Sequence, residues 1–388
     1  MLKWEIEEDI QMKIKRIMAA SLVASMALTL AACGGGNQPA SGGDAEQGGQ
    51  AASDLKVSVM YYNFADTYIA SVRGALDAAL KGIGITPQNQ DGNNNQTTQT
   101  EQVQNEVTKG ADMLVVNLVS TDSDDAATGV VDKAKAGNLP LVFFNREVSD
   151  DVINSYENAA FVGTNAPEAG HMQGEMIGKY LVENYDKCDL NGDGKISYVL
   201  FKGEQGNKEA EYRTQFAVED ADKILEEAGK PKLEFYDAKN TDKYLVDKNG
   251  SWSSAAANEY MTTLLSEYND ANKNMVELVI CNNDGMAEGA ITALNTVGYN
   301  KQVEEGKEAG PYVPVFGVDA TDAAKDLIAK GMMTGSIKQD AEGMAQCITD
   351  LVSNIAAGKP LMDGIADKYT VDDGINKIRI PYQVYMGE

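Results

Sequence analysis

Met113-Leu-Val-Val-Asn-Leu-Val119 and Pro140-Leu-Val-Phe-Phe-Asn145, in the first half of the chain, are echoed in the second by Leu278-Val-Ile-Cys-Asn-Asn-Asp284 and Pro314-Val-Phe-Gly-Val-Asp319. In both halves an apolar run reaches Asn and a helical stretch follows. Pro then opens a second apolar run that ends in Asn or Asp. Short apolar runs bounded by turn residues suit strands buried on both faces, as in parallel sheets. Working outward, Lys56–Tyr62 (KVSVMYY) is β-rich, and TYIASVRGALDAALKG from Thr67 to Gly82 has apolar residues at i, i+3 and i+4. ISYVLF (196–201) reads as a strand before a helix expected over about Lys208 to Ala228, and LEFYDA (233–238) as a further strand. Strand and helix alternating at this spacing argue βαβ units. The reading is α/β, with two similar doubly wound domains. Two sets of about five or six strands suit domain-sized cores better than one long sheet.

In such sheets ligands bind beyond the carboxyl ends of the strands. There this chain has Asn63 to Asp66, Asn145, Gln205 to Glu209, Asn282 to Asp284 and Asp319, a set rich in amides and carboxylates. No GxGxxG, GxxxxGK[ST] or GxSxG occurs. A phosphate cradle, which needs a run of backbone N–H groups facing an anion, is therefore not expected.

The 388 residues are enough for two or three domains of about 100–200 residues. Hydrophobic residues make up 43%, which excludes disorder along the whole chain. Lys and Arg number 33 against 59 Asp and Glu, a net charge of −26. Nucleic acid is thus not an expected partner, since phosphate binding needs a basic face, and adsorption to an anionic bilayer is disfavoured too. The balance suits a neutral or cationic small ligand, or a cation. Four cysteines without a CxxC do not make a disulfide framework. The single histidine, His171, lies in the amphipathic stretch EAGHMQGEMIGKYL and is read as structural. Any histidine-dependent hydrolase or zinc scheme would have to run through it.

The N-terminus reads as an address. KIKR (13–16) precedes the apolar segment Ile17–Leu30, shorter than the roughly 20 residues of a spanning helix. This is the pattern of a secretory signal. It ends in Leu30-Ala31-Ala32-Cys33, a lipobox, so residues 1–32 are expected to be removed and Cys33 acylated. The acidic start MLKWEIEEDIQ contradicts a positive leader and suggests initiation at Met12. Residues 33–54 follow as a lipidated Cys and a flexible Gly/Ser/Gln tether. The expected location is the extracytoplasmic face of the cell membrane, held by the lipid on Cys33.

Carboxylates accept from two neighbouring hydroxyls, carboxamides both donate and accept, and Arg donates in a fork. Aromatic faces pack on the C–H faces of a pyranose. A cleft of Asp, Asn, Glu, Arg and two aromatics is what a neutral sugar needs. A wrong epimer would leave a buried group unpaired, at about 1–3 kcal/mol.

Asp189-Leu-Asn191-Gly-Asp193-Gly194-Lys195-Ile-Ser197 has EF-hand spacing, with oxygens at loop positions 1, 3, 5 and 9 and Gly at 6. Lys195, at position 7, would offer its carbonyl. Position 12 is Leu200, so the bidentate ligand must come from elsewhere. Hard oxygen ligands select calcium over zinc.

From Lys56 to Pro381 the chain resembles the sugar-binding proteins of ABC transporters, and among them the galactose/glucose-binding branch. The resemblance rests on NLVSTD…PLVFFNRE (117–147), DLNGDGKI with FKGEQGNKEAEYRT (189–214), NNDGMAEGAI (282–291) and PVFGVDA (314–320). It implies the type I periplasmic binding protein fold, two Rossmann-like lobes joined by a three-strand hinge and closing like jaws. The lobes would be 55–164 with 339–379, and 165–338 with 380–388. It implies that Asp66 accepts from a hydroxyl at the far end of the sugar and that Tyr68 and Trp252 sandwich the ring, with Tyr68 where the family usually has Phe. Asn145, Arg213, Asn283 and Asp319 fall on sugar-binding positions unchanged. Asn207, Glu209 and Gln339 stand where the family has His, Asp and Asn, which leaves glucose, galactose or a pentose open. An insertion around Lys239–Gly250 lengthens the approach to Trp252. The family supplies the missing calcium ligand from a distant Glu, whose place Glu277 takes, and its calcium is structural. The implied function is a monomeric receptor that delivers a monosaccharide, galactose and/or glucose, to an ABC permease without making or breaking a bond. A ligand-binding subunit for chemotaxis or a sensor kinase is the alternative.

Overall fold

The structure, a computed structural model, describes residues 54–302 and 310–387. The expected leader, Cys33 and nearly all of the tether lie outside the described residues. Two sheets carry the fold. The first contains β1 (Val57–Tyr61), β2 (Gln88–Asp91), β3 (Met113–Val116), β4 (Leu141–Phe144) and β5 (Ala159–Gly163), in the order β2-β1-β3-β4-β5. The second contains β6 (Ser197–Lys202), β7 (Glu234–Phe235), β9 (Leu278–Cys281), β10 (Val315–Asp319) and β11 (Gly335–Gln339), in the order β7-β6-β9-β10-β11. The orders are the same when each set is counted from its own first strand, and within these sets all pairings are parallel.

The chain passes between sheets three times. It crosses after β5, at Thr164 and Asn165, and after β11, at Asp340. It crosses again between β13 (Lys377–Arg379), which pairs with β5, and β14 (Tyr382–Tyr385), which pairs antiparallel with β11. Gln339, expected to begin the return to the first lobe, instead ends β11 and pairs with Tyr382. The short β12 (Thr370–Val371) closes the first sheet against β13.

Each sheet is covered on both faces. On β1 the alternation of a strand sends Val57, Val59 and Tyr61 to one core and Met60 to the other. The first core also takes Ile69, Val72, Leu76 and Leu80 from α1 (Thr67–Gly82), the helical spacing read from the sequence. Helices α2 (Gln96–Thr108), α3 (Asp125–Gly137) and α4 (Asp150–Asn154) belong to the first lobe, as does the last helix, α10 (Ala341–Ala356), which packs on α1.

In the second lobe α5 (Ala166–Cys188) lies along α6 (Lys208–Glu227). Gly170, Gly174 and Gly178 make this possible. A Cβ there would stand 2.5 Å from the Tyr212 carbonyl oxygen, 2.5 Å from that of Phe216 and 2.8 Å from Ile224 Cβ. His171, on the same helix, is structural as read. Its ring stacks on Phe216 at 3.9 Å between centroids, with Nδ1 2.6 Å from Asp220 Oδ2. Cys188, Cys281 and Cys347 are free and buried.

Two elements differ from the reading. Of LEFYDA only Glu234 and Phe235 form a strand. The inserted segment supplies β8 (Leu245–Val246), which pairs with the end of β6 at Phe201 and Lys202. Helices α7 (Ser254–Glu267), α8 (Asp284–Thr296) and α9 (Asp322–Ala329) complete the lobe.

Candidate functional site

The strand ends of the two sheets meet at one pocket, with an empty volume of about 360 Å³. All ten residues expected at a sugar line it, six of them by capping a helix or by ending or directly following a strand. Asp66, Asn207 and Asn283 are N-caps. Asp66 Oδ1 accepts from the Ile69 amide at 2.8 Å, Asn207 Oδ1 from Ala210 at 3.0 Å and Asn283 Oδ1 from Met286 at 3.0 Å. Capping therefore does not compete with a place in the pocket; it fixes the side chain there. Asn145 follows β4, Asp319 ends β10 and Gln339 ends β11. Glu209 and Arg213 sit one turn apart at the start of α6.

Trp252 follows the inserted segment and is held from three sides. Asn283 Nδ2 donates to its carbonyl at 3.2 Å, and its Nε1 donates to Glu204 Oε2 at 3.3 Å. Its ring lies against Gly203, where a Cβ would stand 2.1 Å from the indole. Asp247 Oδ2 pins the next residue, accepting from the Ser253 amide at 3.0 Å and its hydroxyl at 2.9 Å. Asn145, Trp252 and Asp319 have φ of 65°, 54° and 121°. Left-handed backbone of this kind costs about 1–3 kcal/mol and clusters at functional sites.

Among the described residues, three buried side-chain atoms of the pocket have no partner: Glu209 Oε2, Arg213 Nε and Gln339 Nε2. One acceptor and two donors, held and desolvated, suit a ligand that both donates and accepts, as a hydroxylated ring does. Burial pushes the carboxyls of Asp66, Glu209 and Asp319 above the usual range, Asp319 well above it, while the Arg213 charge pulls the last two back.

The sequence reading missed Tyr62, Ile69 and Arg146, which also line the pocket. The Arg146 guanidinium lies 3.9 Å from the Tyr62 ring centroid and pairs with Glu204 of the other lobe. Its position directly after Asn145 was the available signal.

The calcium-loop residues gather at the entry to β6. Asp189 Oδ1 accepts from the Gly192 and Asp193 amides (2.8 and 3.1 Å), and Asn191 Oδ1 accepts from Asp193 (2.8 Å). Asp193 Oδ1 accepts from the Lys195 amide (2.9 Å). Buried Glu277 reaches the loop from the start of β9. Its Oε1 accepts from the Asn191 amide (3.0 Å) and its Oε2 from the Ser197 amide (2.9 Å). Asp189, Asp193 and Glu277 thus share one corner, and among the described residues none has a Lys or Arg partner. Oxygen donors with unbalanced negative charge fit a hard cation. In this conformation they are turned to the loop's own amides, and among the described residues no three acidic, His or Cys side chains form a cage.

The chain matches the periplasmic binding protein domain over residues 57–360. It belongs to that family. The D-galactose/methyl-galactoside binding periplasmic protein MglB of Haemophilus influenzae is 34% identical to this binding protein over 332 residues, 85% of this chain and 89% of that one. Two solved structures share its fold. An ABC transporter solute-binding protein from Bacillus halodurans with bound myo-inositol is 23% identical, with a TM-score of 0.62 over 86% of this chain and 95% of its own. One from Clostridium phytofermentans with bound β-D-glucose is 18% identical, with a TM-score of 0.64 over 85% and 93%. This binding protein thus has the type I periplasmic binding protein fold, its two lobes are the Rossmann-like pair of that class, and the relatives it matches are binding proteins and not enzymes.

Proposed function

We propose that the protein is a lipid-anchored receptor that takes up galactose and/or glucose between its lobes and delivers it to an ABC permease. The observation that carries the reading is the set of unpartnered atoms on Glu209, Arg213 and Gln339, buried in a pocket whose remaining walls are Asp, Asn and aromatic side chains with Ile69 and Arg146. The galactoside-binding relative supports a hexose over a pentose. Asn207, Glu209 and Gln339, which depart from the family pattern, are where galactose and glucose would be told apart. The membrane anchor is supported by the lipobox ending in Cys33; a Cys33→Ser change is expected to release the protein from the membrane fraction.

Calorimetric titration with D-galactose, D-glucose, D-xylose and D-ribose tests the reading. Saturable micromolar binding of one or both hexoses, with the pentoses much weaker, is expected. Binding of a pentose alone would overturn the hexose assignment, and no heat with any of the four would overturn the monosaccharide assignment. We further propose that Asp189, Asn191, Asp193, Ser197, Glu277 and the Lys195 carbonyl hold a structural calcium ion.

A further inference from the structure

Arg213 is hydrogen-bonded, directly or through one hydroxyl, to residues at all three connections between the lobes. Its Nη2 donates to Gln339 Oε1 at 3.1 Å and to the Tyr382 hydroxyl at 3.0 Å. Gln339 is the last residue before the second crossing, and Tyr382 opens β14 just after the third. The Tyr382 hydroxyl lies 2.7 Å from Thr164 Oγ1, at the first crossing. Nη1 donates to the Asn282 carbonyl at 2.9 Å, which ties the guanidinium to the end of β9. That leaves Nε, buried and without a partner among the described residues, on a side chain that lines the pocket.

Arg213, Gln339 and Tyr382 all belong to the second lobe. Thr164 directly follows β5 of the first, and its carbonyl accepts from Arg379 Nη1 at 2.7 Å. The Tyr382–Thr164 hydroxyl pair is therefore the link between the guanidinium and the connecting chain. Hinge rotation concentrates its φ/ψ change in a few such residues. A ligand can shift the balance of open and closed forms only through interactions that differ between them. Neither Tyr382 nor Thr164 lines the pocket.

We propose that Tyr382 and Thr164 are positioning residues for ligand-driven closure. They hold Arg213 against the hinge, so that a sugar accepting from its Nε is favoured at the closed lobe angle. The inference rests on the reading of the pocket as a sugar site. If the closed form is less populated, apparent affinity falls by the same fraction, whichever sugar is bound.

The test is a double-mutant cycle of Tyr382→Phe and Thr164→Val, read by calorimetry with D-galactose and D-glucose and by small-angle scattering of the free and saturated protein. Each single change is expected to weaken binding about 3- to 10-fold, the range of one lost hydrogen bond. The double variant should be no weaker than the weaker single. The galactose-to-glucose ratio and the saturated radius of gyration should stay as in the wild type. Thr164→Ser, which keeps the hydroxyl, should bind as the wild type does and separates lost linkage from poor folding. Wild-type affinity in Tyr382→Phe, penalties that multiply in the double variant, or a changed sugar preference would each overturn the proposal. A wild-type protein that binds neither sugar removes the sugar reading and this inference with it. Wild-type binding with indifferent variants removes this inference alone.

Discussion

At the scale of single residues the pocket is set by burial of charge. Asp284 follows Asn283 and is fully enclosed. Its Oδ1 accepts from the Ser336 hydroxyl at 2.7 Å and its Oδ2 from the Thr321 amide at 2.8 Å. Burial pushes its carboxyl from 3.8 up to about 7. Between those values the folded protein keeps a proton that the unfolded chain has lost. The stability contributed is present in full below the unfolded value and is lost as pH rises through the folded one. Asp284→Asn removes that titration. Urea midpoints at pH 4.5, 6 and 8 should therefore fall less steeply with pH in the variant than in the wild type. Parallel slopes would mean that Asp284 is ionised where it is buried.

Side chains on the strand ends were legible because their type and their position agreed: Asp66, Asn145, Asn283 and Asp319 are polar where an apolar run stops. Tyr62 was not legible, and Arg146 only through its place beside Asn145. Their place depends on each other and on Glu204, 58 residues further on, and no local pattern encodes that pairing. The unpartnered Arg213 Nε was equally out of reach, since it is defined by which neighbours the other nitrogens find.

At the scale of elements the long regular pieces were read within a residue or two, and the short ones were not. The helix expected over about 208–228 spans Lys208–Glu227, whereas β8 has two residues whose only signal is a non-local pairing with β6. The acidic loop before β6 was legible as spacing, and Glu277, implied by the family resemblance, does reach its amides. The calcium proposal makes its prediction here. Three carboxylates in one corner without a cationic partner destabilise the loop until a cation is bound. Calcium should stabilise the fold by about 2.7 kcal/mol at a hundredfold excess over Kd, seen as a raised melting temperature that a chelator reverses. Magnesium, which demands tighter octahedral geometry, should do much less. Glu277→Gln should abolish most of the calcium response while leaving sugar affinity unchanged, because the loop contributes nothing to the pocket lining. A melting curve indifferent to calcium would end the proposal.

At the scale of the whole molecule two lobes of one topology face each other, and their duplication was written in the repeated apolar runs. The contacts that hold them together were not, since each joins distant segments. Asn94 Nδ2 donates to the Asn249 carbonyl at 2.6 Å, the Glu147 amide donates to Glu209 Oε1 at 3.2 Å, and Arg146 pairs with Glu204 beside Trp252. The last is the only ion pair of the three. The Arg146 side chain is 4% exposed and that of Glu204 20%, so the pair is only partly screened. Arg146 also donates to the carbonyls of Leu118 and Val119, so losing Glu204 does not leave it unpartnered. Glu204→Gln keeps an acceptor for both Arg146 and Trp252 and removes only the charge. The effect belongs to the closed form, which the pair ties shut, and not to encounter with a neutral sugar. Sugar release, followed by stopped-flow fluorescence of Trp252, should quicken about 3- to 10-fold while association changes less than about twofold. At 1 M salt, where the Debye length falls to about 3 Å, the difference between variant and wild type should shrink. A change confined to the association rate would place Glu204 on the route into the cleft and not on its closure.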